Sequence, residues 1–250
     1  MEKMTDYFIE FFKKLDRQGP GDDKYTELAY RLLEHLPNNP QILDVGCGTG
    51  GQSLTLARIS PCTITAVDVY DTFLKKLDER AKKETLKGTI TTFNASMFEL
   101  PFDEKIYDVI WSEVSICIMG FERGLKEWKR LLKPGGYLVA SEITWLERDI
   151  PEEIRDYWNT AYPEIGTITG KITVIEECGY QPLAFLTLPE YGWQRNYYDQ
   201  MEVQKQNFLK LYGNEEEACR IVKNELEVEA NLYKTYKNYY SYILYIMRKL

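Results

Sequence analysis

The sequence has few of the residues that metal and disulfide sites need. Its 250 residues contain one histidine, His35, and five cysteines without a Cys-x-x-Cys pair. Zinc sites and disulfide frameworks require histidine or cysteine residues grouped at short spacings. We therefore expect no metal site and five reduced thiols. His35 falls near the C-terminus of a predicted amphipathic helix over 25–36. A histidine at such a position more often complements the helix dipole than takes part in catalysis.

The chain also lacks a basic stretch and a long apolar run. Its formal net charge is −8 and its pI is near 5.0, whereas binding to a phosphate backbone depends on a basic patch that releases counterions. No segment approaches ~18 consecutive apolar residues, and residues 1–6 show no targeting pattern. These absences predict a cytoplasmic protein with neither nucleic acid nor a membrane as partner.

Short apolar strands alternate with helical segments over the first part of the chain. The order strand, helix, strand predicts a parallel sheet covered on both faces. We expect a single domain over 1–250, with N-terminal helices over 1–40, a ligand-binding core over 41–145 and a cap over 146–238. The predicted strands lie at 42–45, 63–67, 89–93, 107–111, 136–142, 180–188 and 239–247. The predicted helices include 52–59, 71–83, 123–132 and 151–161, the second opening with Asp71 as a candidate cap.

A glycine cluster follows the first of these strands directly. Glycines let the chain turn with positive φ and let the backbone approach a ligand closely, at the start of a helix with free N–H groups. Gly46, Gly48 and Gly51 satisfy the dinucleotide spacing G-x-G-x-x-G, while Gly46, Gly48 and Gly50 satisfy a tighter G-x-G-x-G. The loop lacks the Gly-Lys-Ser/Thr of a P-loop. It indicates a nucleotide cofactor and leaves its identity open.

Asp68 ends the second predicted strand, 18 residues after Gly50. A carboxylate there can accept hydrogen bonds from both hydroxyls of a cofactor ribose. Both a nicotinamide dinucleotide and an adenosyl cofactor present such a ribose, so Asp68 does not separate the two.

Five motifs together resemble the class I S-adenosylmethionine-dependent methyltransferases. They are LDVGCGTGG (43–51), AVDVY (66–70), SMFELPF (96–102), YDVIWSE (107–113) and LKPGGYLVASE (132–142). The resemblance implies a Rossmann-like, doubly wound α/β sheet of seven strands, mostly parallel, with the last strand antiparallel. It extends to a little-characterised bacterial group through RQGPG (17–21) and the segment 191–198, without indicating a substrate.

The resemblance also implies a cofactor, S-adenosyl-L-methionine, and the residues that hold it. The glycine loop would hold its methionine part, Asp68 its ribose, and Ser96 with Met97 would flank the adenine. Ser96 stands where an Asp is often found in the family. The predicted cofactor-binding residues are Asp44, Gly46, Cys47, Gly48, Gly50, Asp68, Val69, Ser96, Met97 and Ser112.

Residues at the carboxyl ends of the strands are candidates for catalysis and substrate binding. A sulfonium cofactor favours carboxylates and aromatic faces over lysines, and methyl transfer needs a base only for a protonated acceptor. Glu113 and Glu142 are the predicted catalytic residues. Aromatic residues in the cap suggest a pocket for a small organic molecule, with a packing role as the alternative for at least half of them. The predicted substrate-binding residues are Trp145, Tyr162, Trp193 and Tyr198.

The sequence thus predicts a methyltransferase acting on a small-molecule acceptor. Two alternatives stay open: a non-catalytic S-adenosylmethionine-binding or regulatory protein, and an NAD(P)-dependent oxidoreductase, for which no general-acid constellation stands out. The Asn/Asp-Pro-Pro-aromatic signature of nucleic-acid amino-methylation is absent after the fourth strand, where Trp111-Ser112-Glu113 stands. Tyr233, Tyr236 and Tyr240 recur at helical spacing, which is typical of a packing face or of a contact with a second copy in a homodimer.

Overall fold

The computed structural model describes residues 6–250, apart from the side chain of Glu225. One mixed sheet runs through the fold. Its strands are β1 Gln41–Val45, β2 Thr63–Asp68, β3 Thr89–Asn94, β4 Tyr107–Ser112, β5 Leu132–Trp145, β6 Gly166–Thr167, β7 Tyr180–Thr187 and β8 Tyr240–Lys249. Its order is β3-β2-β1-β4-β5-β8-β7, with the two-residue β6 beside β5.

The predicted fold class is confirmed. The strands β1 to β5 pair in parallel, and β8 lies antiparallel between β5 and β7. The seven predicted strands form the main path of the sheet, and β6 is an eighth that two residues were too few to signal. β5 begins at Leu132, four residues earlier than expected, because the segment Pro134-Gly135-Gly136 continues the strand instead of merely ending a helix.

Helices cover the sheet, and further helices pack at one end of it. They are α1 Asp6–Phe12, α2 Asp23–Arg31, α3 Gly51–Ile59, α4 Asp71–Ala81, α5 Phe121–Trp128, α6 Glu152–Ala161, α7 Ile168–Glu177, α8 Glu190–Trp193, α9 Asp199–Tyr212, α10 Glu216–Val222 and α11 Ala230–Tyr236. π-helical segments at Gln194–Tyr198 and Lys223–Glu229 continue α8 and α10. No helix within residues 6–250 is both long enough and apolar enough to cross a membrane.

Several helix boundaries differ from the sequence prediction by one to five residues, and two of them change the role expected of a residue. The helix expected over 25–36 ends at Arg31, so His35 lies beyond it, with positive φ and its side chain 89% exposed. Pro37 restricts the residue before it to extended backbone, and the chain turns there toward β1. His35 therefore does not complement a helix dipole. Asp71 is the first residue of α4 and not its cap, because the cap position is Tyr70.

The central strands are buried on both faces, as their continuous apolar sequences require. On one face β1, β4 and β5 pack against α2 and α3 through residues such as Ile42, Val109 and Val139. On the other they pack against α5 and α7 through Leu43, Ile110 and Leu138. With both faces covered, the edge formed by the carboxyl ends of the parallel strands is where an open α/β sheet binds ligands.

The cap has an aromatic core of its own. Trp193 is fully buried and stacks on Tyr233, with ring centroids 4.3 Å apart, and on Tyr242 at 5.1 Å. Its Nε1 donates to Ser241 Oγ at 3.0 Å. α1 joins this cluster through Phe11 and Phe12. The cluster therefore fixes the N-terminal helix and the cap to the end of the sheet.

The Trp193→Ala substitution should destabilise the protein by about 3–5 kcal/mol, because it removes a large buried ring and leaves a cavity. The matched control is Tyr191→Ala in the same helix, where the ring is 42% exposed and the expected loss is about 0.5 kcal/mol or less. Urea unfolding of the three proteins measures both. Equal losses for the two variants would contradict the packing role of Trp193.

Candidate functional site

A cavity of about 450 Å³ opens at the carboxyl edge of the sheet. Its walls come from the segments that follow β1, β2, β3 and β4, together with the N-terminal segment 17–20. The lining residues are Phe8, Arg17, Gln18, Gly19, Pro20, Gly46, Cys47, Gly48, Gln52, Val67, Asp68, Val69, Tyr70, Phe73, Ala95, Ser96, Met97, Phe98, Glu113, Val114, Ser115 and Ile118. The volume lies within the range of roughly 300–1,000 Å³ that is typical of small-molecule sites.

The glycine loop forms the floor of this cavity and cannot carry side chains at two positions. Gly46 and Gly48 both have positive φ. A Cβ on Gly46 would lie 2.5 Å from Ser115 Cβ, and one on Gly48 would overlap Gln18 Oε1. Both substitutions are therefore strained in backbone and in space. The result is a stretch of bare backbone that faces the cavity at the start of α3.

Asp68 lies beside this loop at the end of β2. One carboxylate oxygen accepts from Gly48 N and the other from Tyr70 N, both at 3.0 Å. Burial raises the pKa of the carboxyl, although these hydrogen bonds act to lower it. A carboxylate offers about four acceptor positions, so each oxygen retains one for a ligand hydroxyl. Asp68 is thus oriented by backbone and still able to bind a diol.

The N-terminal segment closes over the glycine loop through Gln18. Its Oε1 accepts from Thr49 N at 2.7 Å, and its Nε2 donates to Thr49 Oγ1 at 3.0 Å. Thr49 Oγ1 in turn donates to the carbonyls of Leu15 and Asp16. Arg80 adds donors to the carbonyls of Asp16 and Thr49. This network ties the N-terminal segment to the loop that it covers.

Arg17 and Glu113 form a buried ion pair at the same cavity. Arg17 Nη1 donates to Glu113 Oε2 at 2.8 Å, and each side chain is 9% exposed. Glu113 Oε1 also accepts from Thr26 Oγ1 and from Trp111 Nε1. Burial alone would lower the pKa of Arg17, but Glu113 and Asp23 raise it above its ordinary value. The pair holds the segment 17–20 against the end of β4.

A second buried ion pair lies further along the sheet edge, outside the lining of the cavity. Lys171 Nζ donates to Glu142 Oε1 at 2.5 Å, and Tyr162 Oη donates to the same oxygen at 2.7 Å. Burial raises the pKa of Glu142 to about 7, although Lys171 acts in the opposite direction. The ammonium also lies 4.9 Å from the centre of the Phe121 ring. The pair fixes α7 to β5.

With the geometry established, comparison with known proteins identifies the core. A family model described as "Methyltransferase domain" matches residues 43–140. Residues 43–140 therefore match a methyltransferase domain. The resemblance drawn from the five sequence motifs is thereby confirmed, and the match covers the glycine loop, Asp68 and the strand that carries Glu113.

Individual relatives and solved structures are also similar to this chain. A sterol 24-C-methyltransferase of Kluyveromyces lactis is 31% identical over 148 residues, which are 59% of this chain and 39% of that protein. The chain thus matches less than half of that relative's length. Two structures titled as SAM-dependent methyltransferases in complex with S-adenosyl-L-homocysteine, from Geobacter sulfurreducens and Thiobacillus denitrificans, each match at a TM-score of 0.85. Both are 18% identical, with complete coverage of both chains, and show that the fold is shared.

The structure brings most of the predicted cofactor residues to the cavity of the methyltransferase domain. Those on its lining are Gly46, Cys47, Gly48, Asp68, Val69, Ser96 and Met97. Three others lie behind it. Asp44 is fully buried and accepts from Gln52 and Ser53, Gly50 is the cap residue of α3, and Ser112 bonds Ser115. Through these contacts they hold the loop in place.

The predicted substrate aromatics are not on the described lining of the cavity. Trp145, Trp193 and Tyr198 pack in the aromatic core of the cap, and Tyr162 bonds Glu142. Phe8, Phe73 and Ile118 line the cavity in their place. Sequence spacing could not separate the two groups, because both stand near strand ends or in helices with apolar faces. The motif RQGPG does not by itself mark Arg17 and Gln18 as site residues, since only the fold brings them to the loop.

Arg17→Met should lower the free energy of unfolding by about 3–5 kcal/mol, because it leaves the buried Glu113 carboxylate without its partner. Arg58→Met is the matched control. Arg58 pairs with Glu84 but is 37% exposed, and such pairs contribute at most about 1 kcal/mol. Chemical denaturation at neutral pH compares the two variants. A loss for Arg17→Met no larger than that for Arg58→Met would contradict the proposed weight of the buried pair.

The stability of the methyltransferase domain should depend on pH through Asp44. Burial raises the pKa of Asp44 from 3.8 to about 7 in the fold. Between these values the native state holds more protons than the unfolded chain, so this group's stabilisation falls as pH rises. The slope is at most about 1.4 kcal/mol per pH unit for one group. Asp44→Asn should remove this contribution. Urea unfolding from pH 4 to 7 tests it, and parallel curves for the two proteins would refute it.

Proposed function

We propose that the chain is an S-adenosylmethionine-dependent methyltransferase that transfers a methyl group to a small-molecule acceptor. The observation that carries the proposal is the placement of Asp68 and the bare backbone of Gly46 and Gly48 on one cavity. The two structures reported with S-adenosyl-L-homocysteine have the same fold. Curated relatives are named as methyltransferases acting on small molecules, among them the sterol enzyme.

The charges of the cavity suit a cofactor with net positive charge. Its lining carries two carboxylates, Asp68 and Glu113, and one guanidinium, Arg17. Two negative charges and one positive charge leave a net charge of −1. S-adenosylmethionine carries a sulfonium beside a zwitterionic amino-acid end, so its net charge is +1 and the two are complementary. A nicotinamide dinucleotide would instead bring a pyrophosphate to the same carboxylates, which disfavours the oxidoreductase alternative.

The residues present fit this cofactor by their chemistry. The backbone of Gly46 and Gly48 would accept the amino-acid end, Asp68 the ribose hydroxyls, and Val69 with Met97 the adenine. The cofactor supplies an activated methyl group. The chain's own residues then align the acceptor and exclude water, which is the larger part of catalysis for such a transfer. Gln18 and Arg17 contribute by holding the segment that covers the loop.

Glu113 acts in this proposal as a fixed anion and not as a base. Its carboxylate accepts from Arg17, Thr26 and Trp111, so three protein donors already occupy its oxygens. Its negative charge favours a cationic cofactor. The catalytic role of Glu142 stays a prediction, as does the homodimer. A reducing, cytoplasmic location is part of the proposal and is supported by five free cysteines.

Asp68→Ala should weaken the binding of S-adenosyl-L-homocysteine by about 10- to 100-fold, because hydrogen bonds to a charged group contribute about 1.5–3 kcal/mol. The control is Asp71→Ala in the next helix, which is exposed and outside the cavity lining. Titration calorimetry measures both.

Calorimetry with the unaltered chain also separates the alternatives. Binding of NAD without binding of S-adenosyl-L-homocysteine would overturn the proposal. The non-catalytic alternative predicts that S-adenosyl-L-homocysteine binds but that no acceptor in a metabolite panel is ever methylated.

A further inference from the structure

The charged groups on the cavity are already engaged with other protein groups. Arg17 is paired with Glu113 and Asp23, at 2.8 Å in each case. Glu113 accepts three hydrogen bonds, and the two oxygens of Asp68 accept from backbone N–H groups. With Asp68 bound to the ribose hydroxyls of the proposed cofactor, no charged side chain remains among the described lining residues that could neutralise a charged acceptor. Burying an unpaired charge there would be costly.

Besides the polar side chains of Arg17, Gln18, Gln52, Tyr70, Glu113 and Ser115, the lining outside the predicted cofactor residues contains an apolar wall. It includes two aromatic rings, two branched aliphatic side chains and a Gly-Pro turn, contributed by Phe8, Phe73, Val114, Ile118, Gly19 and Pro20. Such a wall favours an apolar, preferably planar acceptor. A cavity of about 450 Å³ that also takes a nucleoside cofactor leaves room for only a small one.

Once Asp68 is bound to the ribose hydroxyls, the lining offers no other evident base. Glu113 is held by three donors, and burial raises the pKa of the Cys47 thiol well above its usual range. Tyr70 contributes a phenol rather than a carboxylate or an imidazole. Glu142 lies off the lining and is paired with Lys171. An acceptor atom that must lose a proton during the reaction therefore has no described lining group to receive it.

We propose that the acceptor is a small, uncharged, apolar molecule whose reacting atom already carries a free electron pair, such as an aromatic ring nitrogen or a thioether sulfur. The inference rests on the proposed function and specifies its substrate class. The acceptor's electron pair forms the bond to the methyl carbon, and the carbon–sulfur bond breaks with its pair going to the cofactor sulfur. The positive charge moves to the acceptor and no proton is transferred. The product cation stays in a cavity of net negative charge.

The test uses the full chain saturated with S-adenosyl-L-homocysteine and three classes of matched bicyclic probe. Quinoline and isoquinoline carry a ring nitrogen, quinoline-carboxylates add a negative charge, and naphthols need a base. Ligand-observed NMR should show the neutral heterocycles binding at least tenfold more tightly than the carboxylates. With S-adenosylmethionine, mass spectrometry should detect N-methylated cations. Any naphthol methylation should rise tenfold per pH unit toward the phenol's own pKa of about 10.

Ile118 provides the matched variants, because its side chain is 40% exposed and lines the cavity. Ile118→Lys should reverse the preference toward the carboxylates, while Ile118→Met should retain it. Carboxylates that bind unaltered protein as tightly as neutral probes would overturn the inference. So would naphthol methylation that levels off near neutral pH, or the absence of binding by any neutral probe to a chain that binds S-adenosyl-L-homocysteine. Loss of that cofactor binding would instead defeat the proposed function itself.

Discussion

The buried ion pair between Arg17 and Glu113 is the interaction on which the rest of the site depends. It joins a segment far from the sheet in sequence to the residue that follows β4. Removing two charges from water is costly, and the cost is offset only when the remaining donors and acceptors are satisfied. Here Asp23, Thr26 and Trp111 provide those partners. The N-terminal segment can therefore form one wall of a cavity that the sheet alone would leave open.

The glycine loop depends on that same segment. The Gln18 carboxamide occupies the space that a side chain at Gly48 would need, and it also bonds Thr49. Glycine is required here by the protein's own packing as well as by any ligand. Loop and N-terminal segment are thus one unit, and a change at either place alters the surface that a cofactor meets. The strain of positive φ at Gly46 and Gly48 carries no penalty because neither has a Cβ.

Local pattern was enough to predict the sheet, the loop and Asp68, but not the rest of the site. Buried parallel strands have continuous apolar sequences and sharp boundaries, and the spacing from Gly50 to Asp68 is set by one βαβ unit. Arg17 is 96 residues from Glu113, and no local pattern encodes a contact of that range. The placement of the cap aromatics could not be predicted for a different reason. Trp193 and Phe73 pack in the same buried cluster, and only the fold decides that Phe73 also lines the cavity.

The division of labour among aromatic side chains follows from the shape of the fold. In the cap, Trp193, Tyr198 and Tyr233 pack against one another and against Tyr240 at the start of β8. The helices added at this end of the sheet need this buried apolar area to hold them in place. These rings are buried by packing and are not available to a ligand. What remains for a ligand comes from α1, the start of α4 and the turn after β4, which supply Phe8, Phe73 and Ile118. Those positions belong to connections around the sheet edge and not to the generic sheet, and differences in acceptor choice on this fold are therefore expected to arise there.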